Sequence, residues 1–218
     1  MGNTAQGRRN SMLPKQESSS SDTTAAKGGK NSRQNTLQEE EDCVTELQGG
    51  GGGGNDGGES EALTERQKEL LTESWKVVEG DIAKVGVITF ISLFETHPDV
   101  QQVFLPFNGL PIDELKHSKQ LRAHALRVMA FVQKAVARLN EPEKLTTLLR
   151  ELGKKHYGYG AKQKYVDLIG PQFILAIKPS LEAQWSDETH AAWTALFAFM
   201  GSIMKDAMSA EEAAQKAQ

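Results

Sequence analysis

The sequence predicts an all-α domain behind a long polar leader, on three observations. Apolar residues recur at three- and four-residue spacing through six stretches between residues 64 and 207. Capping residues and prolines punctuate those stretches where helices should begin and end. No alternating strand pattern, hairpin turn or internal repeat interrupts them. All fourteen aromatics lie between Trp75 and Phe199, so the leader cannot bury enough apolar area to offset its ordering entropy. The predicted boundaries are a disordered, Gly-rich N-terminal extension at 1–61, a folded domain at 62–209 and a C-terminal tail at 210–218.

Each element has its own signal. Thr64-Glu65-Arg66-Gln67 is a capping box, in which a hydroxyl and an amide satisfy free backbone N–H groups at a helix start. Leu70, Leu71, Ser74, Trp75 and Val78 then repeat at helical spacing, and Gly80-Asp81 breaks the run. A second helix spans about 82–96, with Val85, Ile88, Phe90, Ile91, Leu93 and Phe94. His97-Pro98 stops it, because a residue before proline resists the α conformation. Pro98 can open a short helical turn at its first position. Residues 104–109 read as a loop anchored by Phe104 and Phe107. Ser118 caps the next helix, whose stripe of Leu121, His124, Ala125, Val128, Phe131, Val132, Ala135, Val136 and Leu139 is the cleanest period in the chain.

Asn140-Glu141-Pro142 is another break and start. Leu145, Leu148, Leu149, Leu152 and His156 line one face of the following helix, which Gly158 and Gly160 end. A further helix is predicted over about 163–178, kinked by Pro171, whose missing N–H removes a hydrogen bond. Ser186 with Asp187 and Glu188 opens the last helix, placing acids at its positive dipole end.

Composition removes several function classes. A net charge of −4 leaves no electrostatic footprint for nucleic acid. No apolar run approaches the ~20 residues of a membrane-spanning helix. No signal-peptide core follows the N-terminus, so the cytoplasm is the expected location. The single cysteine, Cys43, excludes an intrachain disulfide and a cysteine-built zinc site.

The leader is patterned by charge. Residues 1–35 carry six bases against two acids, and residues 36–61 carry eight acids and no base. Gly49 to Gly54 is an unbroken glycine run, the composition of a flexible tether. Met1-Gly2 suits N-myristoylation, although Gln6 stands where that motif wants Ser or Thr. One acyl chain anchors weakly. Arg8, Arg9 and Lys15, or palmitoylation of Cys43, would supply the second signal and hold the chain at the inner face of the plasma membrane.

Two histidines dominate the chemistry. His124 and His156 each sit on the buried stripe of their own helix. A lone histidine on an apolar face is more often a satisfied core residue than a ligand. Here a second one follows, with Phe104 and Phe107 as flat apolar surface nearby. Zinc wants three or four ligands. Haem supplies four nitrogens itself and asks the protein for one or two. His97, His117 and His190 fall at segment edges and read as surface residues.

Trp75, Pro98, Phe104, His124 and His156, in this order and spacing, resemble the landmarks of the globin family across about 63–207. The segments LRVMAFV, LGKKH and HAAW look closest to the hexacoordinate globins of the neuroglobin and globin X kind. The resemblance implies an eight-helix fold sandwiching haem b and its iron. By that resemblance His156 is the proximal ligand and His124 the distal histidine, with Val128 beside it. The resemblance likewise implies that Phe104 stacks on the porphyrin, Phe90 lies on the distal side and Arg127 meets a haem propionate, while Phe107 joins the expected pocket as flat apolar surface.

The expected partners are dioxygen, carbon monoxide and nitric oxide, with an external electron donor. The expected function is reversible gas binding with a protective, redox or signalling role. Alternatives are nitrite reduction, nitric oxide dioxygenation, a five-coordinate oxygen store, or a helical interaction module without haem.

Overall fold

The computed structural model describes residues 62–217, which form eight α-helices and three short 3-10 segments, with no strand among the described residues. Helix α1, Glu65–Val78, opens on the predicted capping box. The Thr64 hydroxyl accepts from the Gln67 N–H at 3.2 Å, and the Gln67 side chain accepts from the Thr64 N–H at 2.9 Å. A 3-10 turn, Glu79–Asp81, carries the Gly80-Asp81 break into α2, Ile82–Thr96. Helix α3, Pro98–Val103, begins on its proline. Helix α4, Ile112–Lys116, is a one-turn element that the sequence reading passed over. Such a short stretch has too few apolar positions to show a period.

Helix α5, Lys119–Ala137, is capped by Ser118, whose hydroxyl accepts from the Leu121 N–H at 3.2 Å. Helix α6 spans Pro142–Gly158. The single helix predicted over 163–178 is two elements: a 3-10 segment, Gln163–Leu168, and α7, Ile169–Ile177. Pro171 therefore causes no mid-helix kink. It falls in the first turn of α7, where backbone N–H groups have no intrahelical acceptor, so its missing donor costs no ladder bond. The 3-10 segment Lys178–Leu181 leads to α8, Asp187–Lys216, capped by Ser186. Helix α8 runs on through the residues set apart as a tail, and the Tyr157 hydroxyl donates to the Gln215 side chain at 2.9 Å.

Two apolar clusters fill the interior. The larger joins α1, α5, α6, α7 and α8 through Leu71, Trp75, Val132, Leu149, Phe173 and Trp193. A buried side-chain link crosses it: the Trp193 indole N–H donates to the Ser74 hydroxyl at 3.0 Å. The smaller cluster gathers Phe90 and Phe94 of α2, Val100 of α3, Phe107, Leu115, and Leu121 and Ala125 of α5. Ile88, counted among the apolar positions of α2, faces solvent instead. No helix of the described residues is long and apolar enough to cross a membrane. Gly2 and Cys43 lie outside the described residues.

Candidate functional site

Where α2 crosses α5, the pair meets at Gly86. A Cβ there would sit 3.0 Å from the Met129 Cγ and 3.1 Å from the Ala125 Cβ. The missing side chain thus sets how closely the helix carrying His124 approaches the helix carrying Phe90. The half-buried His124 ring lies edge-on to three phenylalanines. Its centroid is 4.9 Å from Phe90, 5.6 Å from Phe104 and 6.1 Å from Phe107. Edge-to-face pairs at such distances are worth about 0.5–1.5 kcal/mol each beyond area burial.

The loop that delivers Phe104 and Phe107 is pinned rather than draped. The Gln101 side-chain amide donates to the Phe107 carbonyl at 2.9 Å and to the Leu110 carbonyl at 2.8 Å. Gly109 turns the chain at φ 74°, in the left-handed region that favours glycine. Phe107 is only 3% exposed, and its ring stacks on Phe104 at 20° with centroids 6.2 Å apart.

His156 stands near the end of α6, three residues past Gly153. A Cβ on Gly153 would fall 2.5 Å from the Met204 carbonyl oxygen and 2.9 Å from the Ala207 Cβ, so α6 and α8 touch backbone to backbone here. The helix closes in a Schellman motif: Ala161 N–H donates to the His156 carbonyl at 3.0 Å and Gly160 N–H to the Tyr157 carbonyl at 2.9 Å. Gly160 sits at φ 77°, which is why a glycine ends this helix. The His156 Nδ1 lies 2.8 Å from the Leu152 carbonyl. A carbonyl oxygen only accepts, so Nδ1 carries the hydrogen, and in the neutral ring Nε2 then bears the lone pair. That is the tautomer and orientation a metal-bound histidine needs.

The structure brings Phe90, Phe104, Phe107 and His124 into one cluster, with Val128 packed against it. Arg127 follows half-buried on the same helix. Lys154, two residues before His156, pairs with Glu151 at 3.1 Å. Several residues of the site were missed. Tyr165, Leu168 and Ile169 pack against the cluster beside His124, and the Tyr165 hydroxyl donates to Asp99 at 2.9 Å. Tyr159 lies 6.5 Å from His156, ring to ring. Their aromatic and apolar character was visible, but their position after a helix end hid which cluster they join.

The donor set fits haem. Two imidazoles stand on separate helices, one beside a wall of flat aromatic rings and one in the ligating tautomer. Among the described residues no group of three or more His, Cys, Asp or Glu comes together to hold a bare ion. Haem needs only one or two axial ligands from the protein.

Comparison with known proteins agrees with this architecture. The chain is 27% identical over 140 residues to an anaerobic nitrite reductase of Gossypium hirsutum, covering 62% of this chain and 84% of that protein. It is 29% identical over 145 residues to neuroglobin-1 of Oncorhynchus mykiss, covering 66% and 91%. A hexacoordinated haem protein from an anhydrobiotic tardigrade superposes with a TM-score of 0.63 at 21% identity, covering 67% of this chain and 96% of that one. At that identity the likeness speaks for the fold alone. The Globin family model matches residues 88–204, more than half of the chain. The chain belongs to the globin family, and its cofactor is haem with its iron.

Proposed function

We propose that His156 is the residue that holds the haem iron and that His124 stands over the opposite face, competing with incoming gas. The observation that carries this reading is the His156 Nδ1 contact to the Leu152 carbonyl, which aims a lone pair out of α6. When bound, haem supplies an iron site for diatomic gases and one-electron chemistry.

His124 acts as an internal competitor. Apparent gas affinity falls by the fraction of molecules in which its ring has swung away. With its ring swung away, the His124 N–H would be available to donate a hydrogen bond to a gas held in the pocket. The phenylalanines beside it keep water from the ring, and Arg127 offers a cation to a haem propionate. A histidine that alternates between two positions suits a protective, redox or signalling role better than bulk oxygen carriage. Dioxygen, carbon monoxide and nitric oxide are the proposed ligands, and electrons come from an external donor. Attachment to a membrane surface rests on Met1-Gly2 and the nearby bases alone.

A second reading, nitrite reduction at the same iron, draws on the relatives named as anaerobic nitrite reductases. Replacing His156 tests the assignment. A His156→Gly variant should lose the haem absorbance on gel filtration and regain it when free imidazole is added. Retention of an unchanged spectrum without imidazole would remove His156 as the ligand. Anaerobic turnover of nitrite with a chemical reductant, scored as nitric oxide released, decides between gas binding and the enzymatic reading.

A further inference from the structure

The chain that leaves His156 turns at Gly160 and enters the 3-10 segment Gln163–Leu168 before α7 begins. A 3-10 turn has three residues per turn, so side chains in a short run point to different neighbours. Gln163 and Asp167 turn to α8. The Ser209 hydroxyl donates to the Gln163 side chain at 3.2 Å, and the Lys205 ammonium donates to the Asp167 carboxylate at 2.6 Å. Gly201 makes room for that carboxylate: a Cβ there would lie 2.8 Å from an Asp167 oxygen. Two bonds and a close approach thus fasten the segment to α8.

Tyr165 reaches the opposite neighbour. Its hydroxyl donates to the Asp99 carboxylate of α3 at 2.9 Å. Its backbone N–H donates to the Lys162 carbonyl at 3.0 Å. The Lys164 ammonium lies 4.7 Å from its ring centroid, close enough for attraction to the ring face. The Tyr165 ring packs against the apolar cluster beside His124. Asp99 has a matching place: it precedes Val100, a buried member of that same cluster, and α3 ends at Phe104. The Tyr165–Asp99 bond therefore joins two lengths of chain, one leaving His156 and the other delivering Phe104. A flat group held between His156 and the aromatic wall has this bond along one edge.

We propose that Tyr165 and Asp99 form a latch over that edge, and that its opening limits the exchange of haem. The proposal rests on haem as the cofactor and not on which histidine binds the iron. The strap opens at its α3 end. Its α8 end has two side-chain bonds and the Gly201 seat, whereas its α3 end is held by an exposed hydroxyl–carboxylate bond, for which water competes. The bond lies between two protein groups, so it must break whichever way haem passes. By microscopic reversibility, removing it lowers the barrier to entry and to exit alike and leaves the equilibrium affinity nearly unchanged. A contact that only stabilised the loaded fold would speed exit and leave entry alone.

The test measures both rates on the full-length chain. Exit is followed as transfer of ferric haem to excess apomyoglobin. Entry is followed by stopped-flow mixing of the haem-free chain with carbon monoxide haem. Tyr165→Phe removes only the hydroxyl and should speed exit and entry together, each about threefold to tenfold, the factor expected of one net hydrogen bond. Asp99→Ala should do the same. The double variant should be no faster than either single one, because all three remove one bond. Unchanged exit, faster exit with unchanged entry, or effects that multiply in the double variant would each overturn the latch. The His156→Gly experiment stands apart from this one: an unchanged spectrum there removes His156 as the ligand and leaves the latch rates, measured with both histidines in place, as they are.

Discussion

At the scale of single residues, the two histidines were legible because each interrupts an otherwise apolar stripe. A buried imidazole must find a partner, and the stripe offers none of its own kind. The partners themselves were less legible. The Leu152 carbonyl that orients His156 is backbone, and backbone carries no sequence signal. Gln101, which pins the Phe104–Phe107 loop through two carbonyls, looked like any polar helix residue. Two substitutions probe this scale. Phe107→Ala empties a site that is 3% exposed and should cost about 3–5 kcal/mol in urea unfolding, while freeing the His124 ring. Ser74→Ala strands the Trp193 indole N–H. It should cost about 1–3 kcal/mol with little change in the visible spectrum.

At the scale of elements, caps and stops were the reliable signals. The Thr64 capping box, Ser118, Ser186 and the Pro98 start all stand where the sequence put them. Pro171 misled because a proline's effect depends on where its helix begins, and the 3-10 stretch before Ile169 has no distinct periodicity. Close helix crossings were also hidden. Gly86 and Gly153 sit inside good helical patterns, where a glycine costs stability relative to alanine. Only the packed partner shows why each is small. Gly86→Ala presses on Met129 and Ala125 and should cost about 1–3 kcal/mol in thermal melts. It should also change the visible spectrum of the haem-loaded protein if His124 reaches the iron as proposed, because it moves α5. Gly153→Ala meets the Met204 carbonyl at 2.5 Å, and backbone yields less readily than a methionine side chain. It should lower the melting temperature more than Gly86→Ala.

At the scale of the whole molecule, two apolar clusters divide the interior and place His124 and His156 on separate helices. The larger cluster ties α1, α7 and α8 into a frame for α6. The smaller lines the side where His124 sits. The all-α class followed from periodicity, whereas the pairing of particular helices did not, because long-range contact leaves little trace in local pattern. A ligand that binds only the folded state stabilises it by mass action, so stripping haem should lower the melting temperature and re-adding it should restore the loss.

The central claim is that His124 and His156 address one iron from opposite sides. The most direct measurement is the anaerobic visible spectrum of the reduced protein beside a His124→Leu variant. Sharp, split α and β bands that collapse to one broad band in the variant are the predicted result. A single broad band in both proteins would contradict it, leaving His124 off the iron at rest and the chain an open-site oxygen binder.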